Sequence, residues 1–306
     1  MGKIKRIPYK GKELLPAKTD LVFKALLTAD GDMELLASLI SSILDLNINA
    51  GDITAANTEL SGIHATDKLS RVDVRVKLAD GKHINIEMQI EDESNITKRS
   101  VFYLSKLYAE QMASGMEFID ICPAIAINIL DFPYLPFNEY HNRYRLKNLK
   151  NNHELTDVFE VNFIELKKVP QKPKSLKELW MLFLAAESER ELEMVSKENP
   201  VLEKAVNKLV YFSADEQLRY DIDMREKWEL DQQSRMLAGL RKATKEGMEK
   251  GMEKGMEKGI AIGEAKALAE VVHNMRELGM SIEDIAKVTK LSVNEAEKYY
   301  EIKHKP

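Results

Sequence analysis

With a single cysteine in 306 residues, Cys122, the chain has no internal disulfide, which suits a reducing cytoplasm. Cys122 lies in the apolar run ICPAIAINIL, the setting of a buried structural thiol rather than of a nucleophile. No apolar run approaches the length of a membrane span. The basic N-terminal stretch MGKIKRIPYKGKELLPAK lacks the apolar centre of a secretory leader. No Ser/His/Asp or Cys/His arrangement stands out, and no glycine-rich phosphate loop follows a strand, so triad hydrolysis and P-loop chemistry find no support. Positive charge is not in excess either. The formal net charge of -5 gives no support for nucleic-acid binding, although such an average conceals local patches. What remains is an ordinary globular composition, in a chain long enough for two domains or for one domain with appendages.

The informative stretch is SRVDVRVKLADGKHINIEMQIE, residues 70–91. Val72, Val74, Val76 and Leu78 alternate with Arg71, Asp73, Arg75 and Lys77. Ile84, Ile86, Met88 and Ile90 alternate with His83, Asn85, Glu87, Gln89 and Glu91. This period of two predicts two half-buried strands, joined by the loop Ala79-Asp80-Gly81 with Gly81 in the left-handed region. A two-residue loop would set Asp73 against Met88 and mix the faces. The three-residue loop pairs Val76 with Ile84, Val74 with Ile86 and Val72 with Met88, and keeps the faces separate. It also sets Asp73 across from Glu87 and Arg71 across from Gln89. Like charges facing each other across a ladder are unfavourable unless something positive lies between them. A divalent cation on carboxylate oxygens is one answer; an ordinary solvated outer face is the other.

Around the hairpin, residues 1–18 read as an irregular basic arm. An amphipathic helix, TDLVFKALL, starts at Thr19; Asp30-Gly31-Asp32 interrupts it before a second helix, MELLASLISSILDL. Residues 52–63 are a weak first strand. After the hairpin, Ser94 or Asn95 caps the helix NITKRSVFYLSKLYAEQMASG, which Gly115 closes. Residues 118–130 form a nearly continuous apolar strand, suited to the middle of a sheet.

This order, with Asp73 on the second strand and Glu87-Met88-Gln89 on the third, resembles the PD-(D/E)xK nuclease fold. More narrowly, TDLVFKALL, DVRVKLADGKHINIEMQI, RSVFYLSKLYAEQM and PAIAINILDF resemble the Rpn family of recombination-promoting nucleases, also called transposases. The resemblance spans roughly residues 15–170. It implies an α/β, restriction-endonuclease-like core, a mixed sheet flanked by helices, with an α-helical C-terminal extension. It further implies Asp73 and Glu87 as metal ligands, the Met88 backbone carbonyl as a third, and Mg2+ as the ion, with Mn2+ or Ca2+ as alternatives. The catalytic set is then Asp73, Glu87 and Gln89. Gln89 departs from the fold's commonest pattern, in which a lysine stands at this place. A neutral amide orients a water without acidifying it; glutamine is usual in the narrower family, and the resemblance therefore implies slower chemistry rather than its loss.

Asp20 resembles an acidic position that assists the metal, and reads equally well as a first-turn acid. Arg99 and Tyr103 lie four apart on one helix face, either positioning a phosphate or standing as a surface arginine beside a half-buried tyrosine. In YHNRYRLKNLK, strand alternation puts Arg143, Arg145 and Lys147 on one face, suited to tracking a DNA backbone or simply to solvent.

From Ser175 the character turns helical. We divide the chain into a nuclease-like domain (1–170), a helical region (171–245), a Gly-Met-Glu-Lys repeat (246–271) and a helix-turn-helix-like tail (272–306). In the repeat, Gly247, Gly251, Gly255, Gly259 and Gly263 recur every four residues, as a helix–helix seam or a flexible spacer. Glu295, Glu297 and Glu301 on the last helix would repel phosphates, so the tail suits oligomerisation or partner docking better than DNA.

The function expected is a cytoplasmic, metal-dependent DNA endonuclease hydrolysing phosphodiesters, in recombination, mobile-element or defence biology. Such a protein would form a homo-oligomer, a dimer, through its C-terminal helices. The alternatives are a catalytically weak or inactive DNA-binding or assembly protein on the same fold, and a transposase component performing strand transfer.

Overall fold

The computed structural model describes residues 5–56, 73–92 and 94–302. The arm expected to be irregular contains a hairpin, β1 (Ile7–Tyr9) on β2 (Lys12–Leu14), turned by Lys10 and Gly11 at positive φ. Its Ile7, Tyr9 and Leu14 are buried, and the Leu15 amide donates to Ser213 Oγ at 2.9 Å. Two helices follow, α1 (Asp20–Thr28) and α2 (Glu34–Leu44), separated where Gly31 takes a φ of +68°.

The strands β3 (Ile53–Ala56), β4 (Val74–Leu78) and β5 (His83–Gln89) precede α3 (Ile96–Ala109). Then come β6 (Ala124–Leu130), β7 (His141–Lys147) and β8 (Glu154–Glu165). They form one six-stranded sheet in the order β3-β4-β5-β6-β8-β7. Its centre, β5-β6-β8, is parallel, and the outer pairings are antiparallel. Every residue of β6 is buried, as expected of a central strand covered on both faces. This strand starts at Ala124, later than the apolar run from residue 118 suggested, because Phe118–Asp120 makes a turn of 3-10 helix instead. Likewise α3 ends at Ala109 rather than near Gly115. The Gln111 side chain bonds the Cys122 backbone in both directions (3.0 and 3.1 Å) and draws the chain back toward β6.

The hairpin has the three-residue register: Val74 pairs with Ile86, Val76 with Ile84 and Lys77 with His83. Val72 and Arg71, expected opposite Met88 and Gln89, lie outside the described residues. Gly81 takes a φ of +88°, and a Cβ there would meet Cys122 Sγ at 2.3 Å. Gly81→Ala therefore lowers stability by about 1–3 kcal/mol, combining the left-handed penalty with the clash. In urea unfolding, Cys122→Ala in the same chain should restore only the steric part.

Residues paired on neighbouring strands share a face. Ile84, Ile86, Ile125, Ile127 and Ile129 make one face and join the main core, which α1 and α2 also enter. The same core receives α4 (Leu176–Ala185), α5 (Glu189–Glu198) and α6 (Pro200–Ala214) through Trp180, Phe183, Val195 and Leu209. The change of character near Ser175 is thus no structural boundary. These helices complete the layer over the sheet, within a compact unit extending from Met1 to Leu230. The opposite face carries Asn85, Glu87, Gln89 and Asn128, and receives α3 through Leu104 and Leu107 on Ala124 and Ala126.

The second unit is Asp231–Pro306. Helix α7 (Glu216–Glu277) runs unbroken through the glycine repeat, although each exposed helical glycine costs about 1 kcal/mol against alanine. Within this unit α8 (Ile282–Thr289) and α9 (Val293–Ile302) close a small core of Val272, Ile285, Ala286 and Ala296. Ser292 and Glu295 form the expected capping box, with the Glu295 amide on Ser292 Oγ (3.3 Å) and the Ser292 amide on Glu295 Oε2 (2.8 Å). Among the described residues no helix is long and apolar enough to cross a membrane.

Candidate metal centre

The hairpin register continues one step beyond Val74 and Ile86 and puts Asp73 opposite Glu87. Both carboxylates then point to the face covered by α3. Glu87 is only 7% exposed, and its charge is heavily engaged. Arg99 Nη2, from the first turns of α3, reaches Glu87 Oε2 at 2.5 Å. Gln89 Nε2 donates to the same oxygen at 3.0 Å, and Asn85 Nδ2 donates to Oε1 at 3.2 Å. Alternation brings Asn85, Glu87 and Gln89 to one face; helix packing adds Arg99 from above.

Asp73 Oδ2 accepts from Arg75 Nε at 2.8 Å. Burial works against the Arg75 charge. The hydrogen bond and charge of Asp73, with Glu110 and Glu87 behind it, outweigh that and hold the guanidinium above its ordinary pKa. Arg75 and Asn85 were not singled out from the sequence, although both stand in the alternation that nominated Asp73 and Glu87. Asn85 is 5% exposed, and its Oδ1 is buried with no hydrogen-bond partner. Such an unsatisfied acceptor is unfavourable by about 1–3 kcal/mol.

The other nominated residues divide. Asp20 is the first-turn acid of α1: its Oδ1 accepts from the Leu21 amide (2.7 Å), and its Oδ2 pairs with Arg225 at 2.8 Å. Tyr103 is half-buried on α3, edge-on to Phe102. Arg143 and Arg145 do lie on a strand, but on the wrong face for Glu87. Pairing carries Glu87 to Asn128, Phe163 and Asn142, whereas Arg143 falls in the row of Ile86, Ile127 and Asn162. There the two arginines enclose buried Glu160, with Arg143 also on Asp45 (3.3 Å) and Arg145 on Glu154 (2.9 Å). Burial alone would raise the Glu160 pKa. Asn162 and the two arginines more than reverse that, and hold it below the usual glutamate value. Lys147 is exposed, past an irregularity in the β7–β8 register. The structure therefore gathers Asp73, Glu87, Gln89 and Arg99, and leaves the basic strand apart from them.

Among the described residues no group of three or more His, Cys, Asp and Glu side chains is gathered. The residues expected to hold a metal would offer two carboxylates, Asp73 and Glu87, and the Met88 backbone carbonyl. All are hard oxygen donors, and the unsatisfied Asn85 oxygen stands beside them. Such a set fits an ion that keeps several of its own waters, as Mg2+ does.

A protein-family model described as PD-(D/E)XK nuclease family transposase matches residues 17–239. No curated protein and no solved structure matches the chain.

Proposed function

Because the chain belongs to the PD-(D/E)XK nuclease family transposases, we propose that it is a divalent-metal-dependent DNA endonuclease that hydrolyses phosphodiester bonds. The observation that carries this reading is the pair Asp73 and Glu87 on facing positions of one hairpin, with Gln89 two residues on. Asp73, Glu87 and the Met88 carbonyl would hold Mg2+, with Mn2+ or Ca2+ as substitutes. When bound, such an ion lowers the pKa of a water and neutralises charge developing on the phosphate.

The protein's side chains supply order around that centre. Arg99, Gln89 and Asn85 together fix the Glu87 carboxylate from three directions. Gln89 has a second amide atom with which to orient a water, but brings no charge. Arg75 is the more exposed of the two arginines, its side chain 42% exposed against 13% for Arg99, and so is better able to meet a phosphate. In our reading the protein works in the cytoplasm, on DNA, in recombination, mobile-element or defence biology. It assembles as a homo-oligomer through its C-terminal helices, where Met248, Met252 and Met256 are exposed on α7.

Supercoiled plasmid incubated with the protein tests this directly. Nicked or linear DNA is expected with Mg2+ or Mn2+, and unchanged supercoils with EDTA. Joined products would indicate strand transfer instead. Plasmid that is bound but never cut under any of the three ions would leave a DNA-binding protein on a nuclease fold.

A further inference from the structure

The geometry points to Asn85 as the residue that holds one water of the metal's shell, an inference that rests on the metal reading above. Asn85 precedes Glu87 by one alternation on β5 and shares its face. Its amide divides into two halves. Nδ2 donates to Glu87 Oε1 at 3.2 Å, while Oδ1 is buried without a partner. Two other amides stand in the same layer. Gln89 Nε2 likewise makes one bond to Glu87, whereas Asn128 Nδ2 bonds both Ser100 Oγ (2.8 Å) and the Asn162 carbonyl (3.1 Å); of these three amides only Asn85 has an oxygen that is buried without a partner. The charged donors nearest by sequence and register, Arg75 and Arg99, are directed at Asp73 and Glu87.

A buried acceptor beside a carboxylate pair calls for a donor that arrives with a ligand. A hydrated divalent cation brings one, because its waters are retained and present their hydrogens outward. Asn85 is then a positioning residue with two tasks. Its nitrogen sets the rotamer of the Glu87 carboxylate, and its oxygen fixes a water held by the ion. Of the side chains near this size, only an amide offers a donor to Glu87 and a carbonyl acceptor together. Aspartate would oppose Glu87, and leucine would offer neither group.

The test is Mn2+ binding to the full chain by titration calorimetry, with thermal unfolding of the metal-free protein alongside. Asn85→Leu should raise the dissociation constant about 10–100-fold, the usual effect of losing an outer partner of a metal site. In the metal-free protein the substitution removes both the unsatisfied acceptor and the donor to Glu87 Oε1, so the unfolding temperature is read to show that the variant is folded. The inference is overturned if Asn85→Leu binds like wild type. If Glu87→Ala abolishes binding while Asn85→Leu does not alter it, the carboxylate site stands and this role for Asn85 falls. If wild type binds no Mn2+, or Glu87→Ala binds as wild type does, the carboxylate site itself is refuted.

Discussion

Glu87→Ala is expected to lower metal-dependent cleavage of supercoiled DNA by about a thousandfold, equivalent to about 4 kcal/mol of transition-state stabilisation. In the proposed centre Glu87 is one of two carboxylates among the described residues, so its removal would leave Asp73 and a carbonyl as donors. Alanine also leaves the Arg99 guanidinium, 13% exposed as a side chain, without the carboxylate it now meets. Breaking such a partly buried pair can itself destabilise the protein by several kcal/mol. Glu87→Gln separates the two effects. It keeps the side chain's size and an acceptor for Arg99 and Gln89, removes the charge, and turns the oxygen that faces Asn85 into a donor. Both variants should lose cleavage, whereas Glu87→Gln should retain the wild-type urea midpoint more closely. Rapid plasmid nicking by Glu87→Gln would place the chemistry elsewhere.

The largest effect on stability should come from Trp180→Ala, a loss of about 3–5 kcal/mol in urea unfolding. Trp180 is 1% exposed, meets Phe183 edge-on at 5.8 Å, and donates from Nε1 to Ser38 Oγ at 3.0 Å. It thus ties α4 to α2 across the main core. Alanine leaves a cavity the size of an indole and an unmatched hydroxyl. By the same logic, a chain ending at Pro170 should show no cooperative transition, because it lacks Trp180, Phe183 and Leu209 from the core beneath the sheet. A sharp transition for that shortened chain would mean that α4–α6 are an accessory layer.

The hairpin and its register could be read from the sequence because both strands are half-buried, and a slip would have exchanged every face. The opposition of Asp73 and Glu87 follows from the same alternation. What packs above them does not. Arg99 reaches Glu87 only because Leu104 and Leu107 seat α3 on Ala124 and Ala126, a tertiary contact that helical periodicity alone leaves open. The face of the basic strand was hidden for a related reason. Local alternation relates Arg143 to Arg145, but their face relative to Glu87 depends on parallel pairings through β6 and β8. The β1–β2 hairpin escaped notice because Lys10-Gly11 is not one of the strongest turn pairs. The amphipathic helices after Ser175 announced a buried stripe without naming the surface that buries it.

Both carboxylates ride on a single hairpin whose two strands are held unequally. β5 is locked along its full length to β6, from His83–Ala124 to Gln89–Leu130. Among the described residues, β4 has on its outer side the short, irregularly paired β3. Asp73 therefore belongs to the more weakly secured strand and Glu87 to the firmly secured one. Any ligand gripping both would work as a clasp across that seam, drawing its binding free energy into the local opening equilibrium of β4. Catalytic readiness and the breathing of the sheet's outer strands would then be one property: the ion that arms the site would also slow amide exchange along β4, and its release would loosen both together.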